Sequence, residues 1–396
     1  MAKVFHVYAS QGRDNCAELD LPASDYEMLD LMERLRLEPG KPPYAEVLKI
    51  CEEYDYLAKC IPELPNIYQL NALAQKLSEF TSVLDMAAFE GMAGVEMQKA
   101  AAPIEITKLI DFAHSTGHCR MAEGAVTDHQ LGKFLVENNF IADAIDLPDA
   151  ALALLDYGKI GREHRERTDG AYTGFGYVEV DKDVRHVSET MDFQPRKPAY
   201  TILVNMAAMP LTEGRLQKED MLQLRLPAQE GEIQVALEKL GRKDWDDIAV
   251  SVWDSPLPWL NHTMYFEGEM PQILELSTRL SELDGQGRLT KYKAILAANN
   301  CEELSRALSL AGTVGEHHFE PKASSPEDVA REELEAVICE KDAETLMPYI
   351  DLQGYGRALL ERDQAIITEY GLVGRKRGEQ VQDIEQQLSP GGMEMM

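Results

Sequence analysis

The chain repeats itself. The pattern Asp156-x4-Gly161-Arg162-x3-Glu166-Arg167-x5-Thr173-x2-Gly176-x-Val178 returns without a gap as Asp351-x4-Gly356-Arg357-x3-Glu361-Arg362-x5-Thr368-x2-Gly371-x-Val373. Eight identities in one register, 195 residues apart, mark a duplication, which restricts the fold more than any local propensity does. Earlier segments extend the match. Leu19-Asp20-Leu21-Pro22-Ala23 parallels Leu224-Arg225-Leu226-Pro227-Ala228, each reading as a short alternating strand that ends at proline.

A helix should follow in both halves. Ser24 and Glu27 have capping-box spacing, with Met28, Leu31, Met32 and Leu35 on one face; Ile233, Ala236, Leu237 and Leu240 are the counterparts. A second helix carries Leu70, Leu73, Ala74 and Leu77, mirrored by Ile273, Leu276, Ser277 and Leu280. A third runs from Thr127 to Asn138 and from Ser325 to Ala336, each opening on a hydroxyl N-cap with acid in the first turn. Tyr44–Ile50 and Ile248–Trp253 read as strands. The predicted class is α+β: an elongated tandem repeat, each copy a row of small modules. The boundaries read as a first copy over 1–182, a linker over 183–199, a second and diverged copy over 200–374, and a loosely ordered tail over 375–396.

Charge is the main functional clue. The formal net charge is −30, with −14 in residues 1–200 and −16 in residues 201–396. Hydrophobic content of 44% is ordinary for a globular protein, so the acid does not signal a disordered tail. Such a field repels nucleic acid and anionic membranes and attracts basic surfaces, which in nature are most often built to bind nucleic acid. The six cysteines lack CxxC pairing and the first residues carry no long apolar run, so a reducing cytoplasm is the expected setting.

Three patches of the first copy resemble the ArdA-type antirestriction proteins of conjugative plasmids and transposons. Pro65-Asn66-Ile67-Tyr68-Gln69-Leu70-Asn71-Ala72-Leu73-Ala74 is similar to that family's central helix entry, and Thr127-Asp128-His129-Gln130-Leu131-Gly132-Lys133-Phe134-Leu135 to its third-module helix. Leu155-Asp156-Tyr157-x3-Gly161-Arg162, with Thr173-x2-Gly176-Tyr177, resembles its closing segment. The likeness spans most of residues 4–180 and, more faintly, 200–373. It implies a three-module, acidic, dimeric protein that imitates bent B-form DNA and occupies the DNA groove of type I restriction-modification enzymes, protecting incoming mobile DNA. It implies no cofactor. This chain departs from the family by carrying two copies, and the second has drifted: Leu352 stands for Tyr157, Leu372 for Tyr177, and Glu332-Glu333 for Phe134-Leu135. The second copy could mimic DNA or serve as a built-in dimer partner, and each chain could still form a homodimer.

Mimicry is physically reasonable apart from the resemblance. Duplex DNA presents about one charge per ~1.7 Å of axis, so thirty charges at that density cover on the order of 50 Å. Carboxylates can pair with the lysines and arginines that otherwise hold phosphates. The acids expected on that surface are Asp25, Asp30, Glu33, Glu52, Glu53, Asp55, Asp85, Glu90, Glu123, Asp128, Glu137, Asp143, Asp146 and Asp149. Each alone reads as a solvated surface group; the collective excess carries the argument. Asp156, Gly161, Arg162 and Gly176, with Asp351, Gly356, Arg357 and Gly371, read as structural, each arginine pairing with an acid such as Asp156 or Asp351.

Other chemistries fare worse. His114-x3-His118-Cys119 has metal-ligand spacing but no third ligand at a telling distance, Gly117 should end the helix, and His317-His318 reads as loop. Gly170–Gly176 lacks the Lys-Ser/Thr of a phosphate loop and reads as a strand turn. No P-loop, GxSxG or HExxH is present, so no enzyme is expected. Two rivals stand beside type I enzyme inhibition. One keeps the mimicry but targets another host-defence complex such as a CRISPR effector. The other is an acidic scaffold or regulator of a mobile element, to which the methionines between Met86 and Met97 would give an adaptable surface, although core filling explains them too.

Overall fold

A computed structural model of the chain describes every residue except 1, 12–14, 38–42, 101–102, 142–147, 153, 182–183, 210–220, 266–268, 338–346 and 376–396. Asp143, Asp146 and nearly all of the expected tail therefore lie outside the described residues. The chain divides into two compact units. One comprises Met1–Ala9, Glu18–Ala23 and Gly40–Gln194; the other comprises Ser10–Ala17, Ser24–Pro39 and Pro195–Met396. Both are mixed α+β, assembled from small sheets with helices beside them.

In the first unit, β1 (Phe5–Gln11), β2 (Asn15–Leu21) and β3 (Ala45–Ile50) form a sheet in the order β2-β1-β3. The intervening helix α1 (Asp25–Arg34) groups with the second unit, as do the outer ends of β1 and β2. Ser24 caps it in a complete capping box, its Oγ accepting from Glu27 N–H while Glu27 accepts from Ser24 N–H. Helices α2 (Ile67–Ser78), α3 (Val83–Lys99) and α4 (Ile106–Ala113) follow. The Asn66 side chain caps α2, and Leu70, Leu73, Ala74 and Leu77 are all buried, as their spacing predicts. In α3, Met92 is buried, whereas Met86 and Met97 are half-buried.

The unit closes with β4 (Cys119–Glu123), α5 (Asp128–Glu137), the one-turn helix α6 (Asp149–Leu152), α7 (Tyr157–Arg167), β5 (Gly170–Tyr172) and β6 (Gly176–Val180), the strands ordered β4-β6-β5. Gly170–Gly176 is thus a hairpin.

The second unit follows a similar element order, with one strand more in its first sheet. Strands β7 (Ile202–Ala208), β8 (Leu222–Leu226), β9 (Ile248–Asp254) and β10 (Met264–Tyr265) form a sheet ordered β10-β9-β7-β8, with α8 (Glu230–Lys239) between β8 and β9. Helices α9 (Met270–Gly285), α10 (Leu289–Ala298) and α11 (Leu304–Thr313) come next. Ile273, Leu276, Ser277 and Leu280 are buried in α9, but in α8 only Ala236 and Leu237 are, with Ile233 and Leu240 half-buried. Then come β11 (His317–Glu320), α12 (Pro326–Val337), α13 (Leu352–Asp363), β12 (Ile366–Thr368) and β13 (Gly371–Arg375), ordered β11-β13-β12.

The repeated motif has one structural meaning at each site. Asp156 and Asp351 cap α7 and α13, accepting the N–H of Lys159 and of Gly354. A Cβ on Gly161 would overlap the Asp128 carbonyl, and one on Gly356 the Pro326 carbonyl, so α7 crosses α5 and α13 crosses α12 at glycine contact distance. The hydroxyls of Thr173 and Thr368 donate to the carbonyls of Gly176 and Gly371 across the tip of each hairpin. Both of those glycines have positive φ, +155° and +137°, which side-chain-bearing residues avoid. Val178 and Val373 then sit at the centre of their sheets, opposite Met121 and Ala171 in one and Phe319 and Ile366 in the other.

Candidate partner-binding surface

The acids singled out in sequence fall into groups with different electrostatic fates. Glu52, Glu53 and Asp55 open a 3-10 segment, Glu52–Lys59, that is kinked at Tyr54 (φ −120°, ψ 18°), and the exposed backbone N–H groups at its start favour negative charge. Its buried side are Tyr54 and Leu57, and the Tyr54 hydroxyl donates to the Leu77 carbonyl at 3.0 Å. That anchor leaves all three carboxylates exposed. Glu123, at the end of β4, is exposed as well. None of these four has an ion pair among the described residues. Asp25 is exposed and accepts the backbone N–H of Arg196 at 3.3 Å. Glu137 is exposed and lies 3.6 Å from Lys133 one turn earlier, a pairing of little energetic weight.

Other candidates are occupied internally. Half-buried Asp85 accepts the Thr116 hydroxyl at 2.8 Å, and burial pushes the half-buried Glu90 carboxyl up. Asp128, in the first turn of α5, accepts from Arg165 Nε at 2.9 Å and from the Tyr172 hydroxyl at 2.7 Å, with Arg162 Nε at 3.6 Å. The Arg165 bond is foremost in holding its carboxyl down at about 2. Arg162 therefore faces Asp128 rather than Asp156, whose carboxylate caps α7. Asp149 opens α6.

Asp30 and Glu33 depart most from the expectation of an exposed acidic face. Asp30 is 3% exposed. In the second unit, Lys293 of α10 places its Nζ 2.8 Å from Asp30 Oδ1 and 2.8 Å from Glu33 Oε2, its own side chain only 4% exposed. The Tyr370 hydroxyl donates to the same Asp30 oxygen at 2.9 Å, and its ring faces the ammonium. Burial works against the charge of Lys293, but the two carboxylates outweigh it and hold the ammonium's pKa above its ordinary value. At 100° per residue, Tyr26, Asp30 and Glu33 lie opposite Met28, Leu31 and Leu35, so α1 has two engaged sides. Lys293 was missed in sequence, though a lone lysine inside Tyr292-Lys293-Ala294-Ile295-Leu296 is a visible signal of a buried counter-charge.

The histidine candidates are structural. His114 caps α4, which ends at Ala113, while Gly117 and His118 lie in a separate 3-10 turn. His317 and His318 belong to strand β11 rather than a loop, and His317 is buried with Nδ1 2.9 Å from the Thr313 carbonyl. Among the described residues no group of three potential ligands could hold a metal ion, and no helix is long and apolar enough to cross a membrane.

Compared with known proteins, the chain matches no family model and no curated sequence.

Proposed function

We propose that this chain is an antirestriction protein of two ArdA-like copies, in which an acidic surface imitates DNA and blocks the DNA-binding groove of a type I restriction-modification enzyme. It would act in the cytoplasm, stoichiometrically and without cofactor, shielding incoming mobile DNA. The observation that carries the reading is the unneutralised acid of the first unit: Glu52, Glu53, Asp55 and Glu123 are exposed without ion pairs among the described residues, in a chain of net charge −30. Carboxylates held outward by a buried anchor are available to arginine and lysine side chains that otherwise grip phosphate.

The test is a titration of the purified protein into a type I enzyme bound to labelled unmethylated DNA, at low and at physiological salt. Release of DNA near one-to-one stoichiometry, weakening as salt rises, is the expected result. No release at either salt sinks the reading.

A further inference from the structure

Within the second unit, α1 lies on α10 and on the tip of the β12–β13 hairpin. Asp30 and Glu33 hold Lys293 between them, Glu33 also accepts the Thr290 hydroxyl at 3.1 Å, and the tip residue Tyr370 donates to Asp30. The duplication gives the first unit a face of the same build. Phe89-Glu90-Gly91-Met92 of α3 repeats the order of Tyr292-Lys293-Ala294-Ile295 in α10: an aromatic, a charge, a small residue and an apolar one. Phe89 and Tyr292 are both fully buried, and each helix packs on its own closing hairpin. A Cβ on Gly91 would overlap Val178, the repeat counterpart of Val373. In the same register Phe175 is the counterpart of Tyr370.

Two differences separate the faces. Tyr370 is 5% exposed beneath α1, whereas Phe175 is 47% exposed. Where the second unit has the cation Lys293, the first has the acid Glu90, half-buried and without an ion pair among the described residues. Burial pushes that carboxyl up, offset only in part by the Gly174 N–H. A carboxylate drawn partly out of water gains most from a cation brought against it. The first unit thus repeats the seat of a helix with its charge reversed and its apolar tip open.

We infer that α3 and the tip of the β5–β6 hairpin form a docking face for an amphipathic helix of a partner protein, which sets a lysine or arginine on Glu90 and an apolar side chain on Phe175. This goes beyond DNA mimicry and gives Glu90 a role separate from that of the exposed acids.

The probe is a synthetic peptide of residues 24–35 carrying Asp30→Lys and Glu33→Lys. A link between positions 28 and 32, opposite Asp30, locks it as a helix. The unreversed sequence with the same link is the control. Titrated into the ¹⁵N-labelled full chain, the reversed peptide should shift the Gly174 and Phe175 amides saturably. It should bind at least about ten times more tightly than the control. These amides report the first unit alone, so a peptide that displaces α1 from the second unit is not counted. Glu90→Lys, which restores the charge of the filled face, should invert the order of the two peptides. Phe175→Ser should weaken the reversed peptide about tenfold while the rest of the spectrum stays in place. The inference is overturned if neither amide moves, if the two peptides bind alike, or if Glu90→Lys leaves their order unchanged. Shifts of Gly174 and Phe175 that follow the concentration of the chain alone would give the face to a second copy and overturn it too.

Discussion

Helix α1 and the 3-10 helix after β3 look alike in sequence and differ in the folded chain. Each offers three of the candidate acids, Asp25, Asp30 and Glu33 in one and Glu52, Glu53 and Asp55 in the other. In the 3-10 helix a buried tyrosine turns all the carboxylates to solvent. In α1 a buried lysine draws two of the three inward. Formal charge therefore overstates the surface charge of α1 and describes that of the 3-10 helix fairly. What draws Asp30 and Glu33 inward is a cation 260 residues further along the chain from Glu33.

Substitutions can sharpen that contrast. The largest effect should come from Lys293→Ala, which strands two carboxylates in or near a core; losing one partner of a buried charge cluster costs about 3–5 kcal/mol. Urea unfolding followed by a probe in the second unit measures it, and a change below about 1 kcal/mol would place these acids among ordinary surface pairs. Next is Asp128→Asn, which removes charge-assisted bonds to Arg165 and should cost about 2 kcal/mol near neutral pH. The folded carboxyl lies below its unfolded value, so its contribution is full above about pH 4 and fades as pH falls towards about 2. Parent and variant should accordingly converge in stability across that acid window. A gap that persists at pH 2 would mean the bonds to Arg165 are not what Asp128 contributes. The smallest effect on stability, within about 0.5 kcal/mol, should follow from the triple change Glu52→Gln, Glu53→Gln and Asp55→Asn. Yet it should weaken DNA displacement and flatten its salt dependence by up to about three ions. Unchanged displacement would remove the 3-10 helix from the binding surface.

Much of the fold was legible because its signals are local. The cap at Ser24, the stripe Leu70, Leu73, Ala74 and Leu77, and the strand before Pro22 each depend on neighbours within a turn or two. The hairpins were legible because the duplication showed which residues recur. The halves of the α1 story were not. Periodicity identifies the side with Met28 and Leu31, but it is silent on a second engaged side whose partners, Lys293 and Tyr370, come from far along the chain. His317 and His318 misled because a short strand such as β11 takes its identity from pairing with β13, not from its own residues. Arg162 misled because the acid nearest in sequence already serves as a helix cap.

The glycine crossings at Gly161 and Gly356 have a consequence for how such a chain can change over generations. Backbone contact at that distance admits no other residue without displacing a helix, so those sites resist mutation. The exposed acids face no comparable steric veto, whereas the glycine crossing recurs in both halves. Shape and charge are thus inherited separately. A lineage built this way can redraw its pattern of carboxylates one surface codon at a time, on a scaffold that never has to be reinvented.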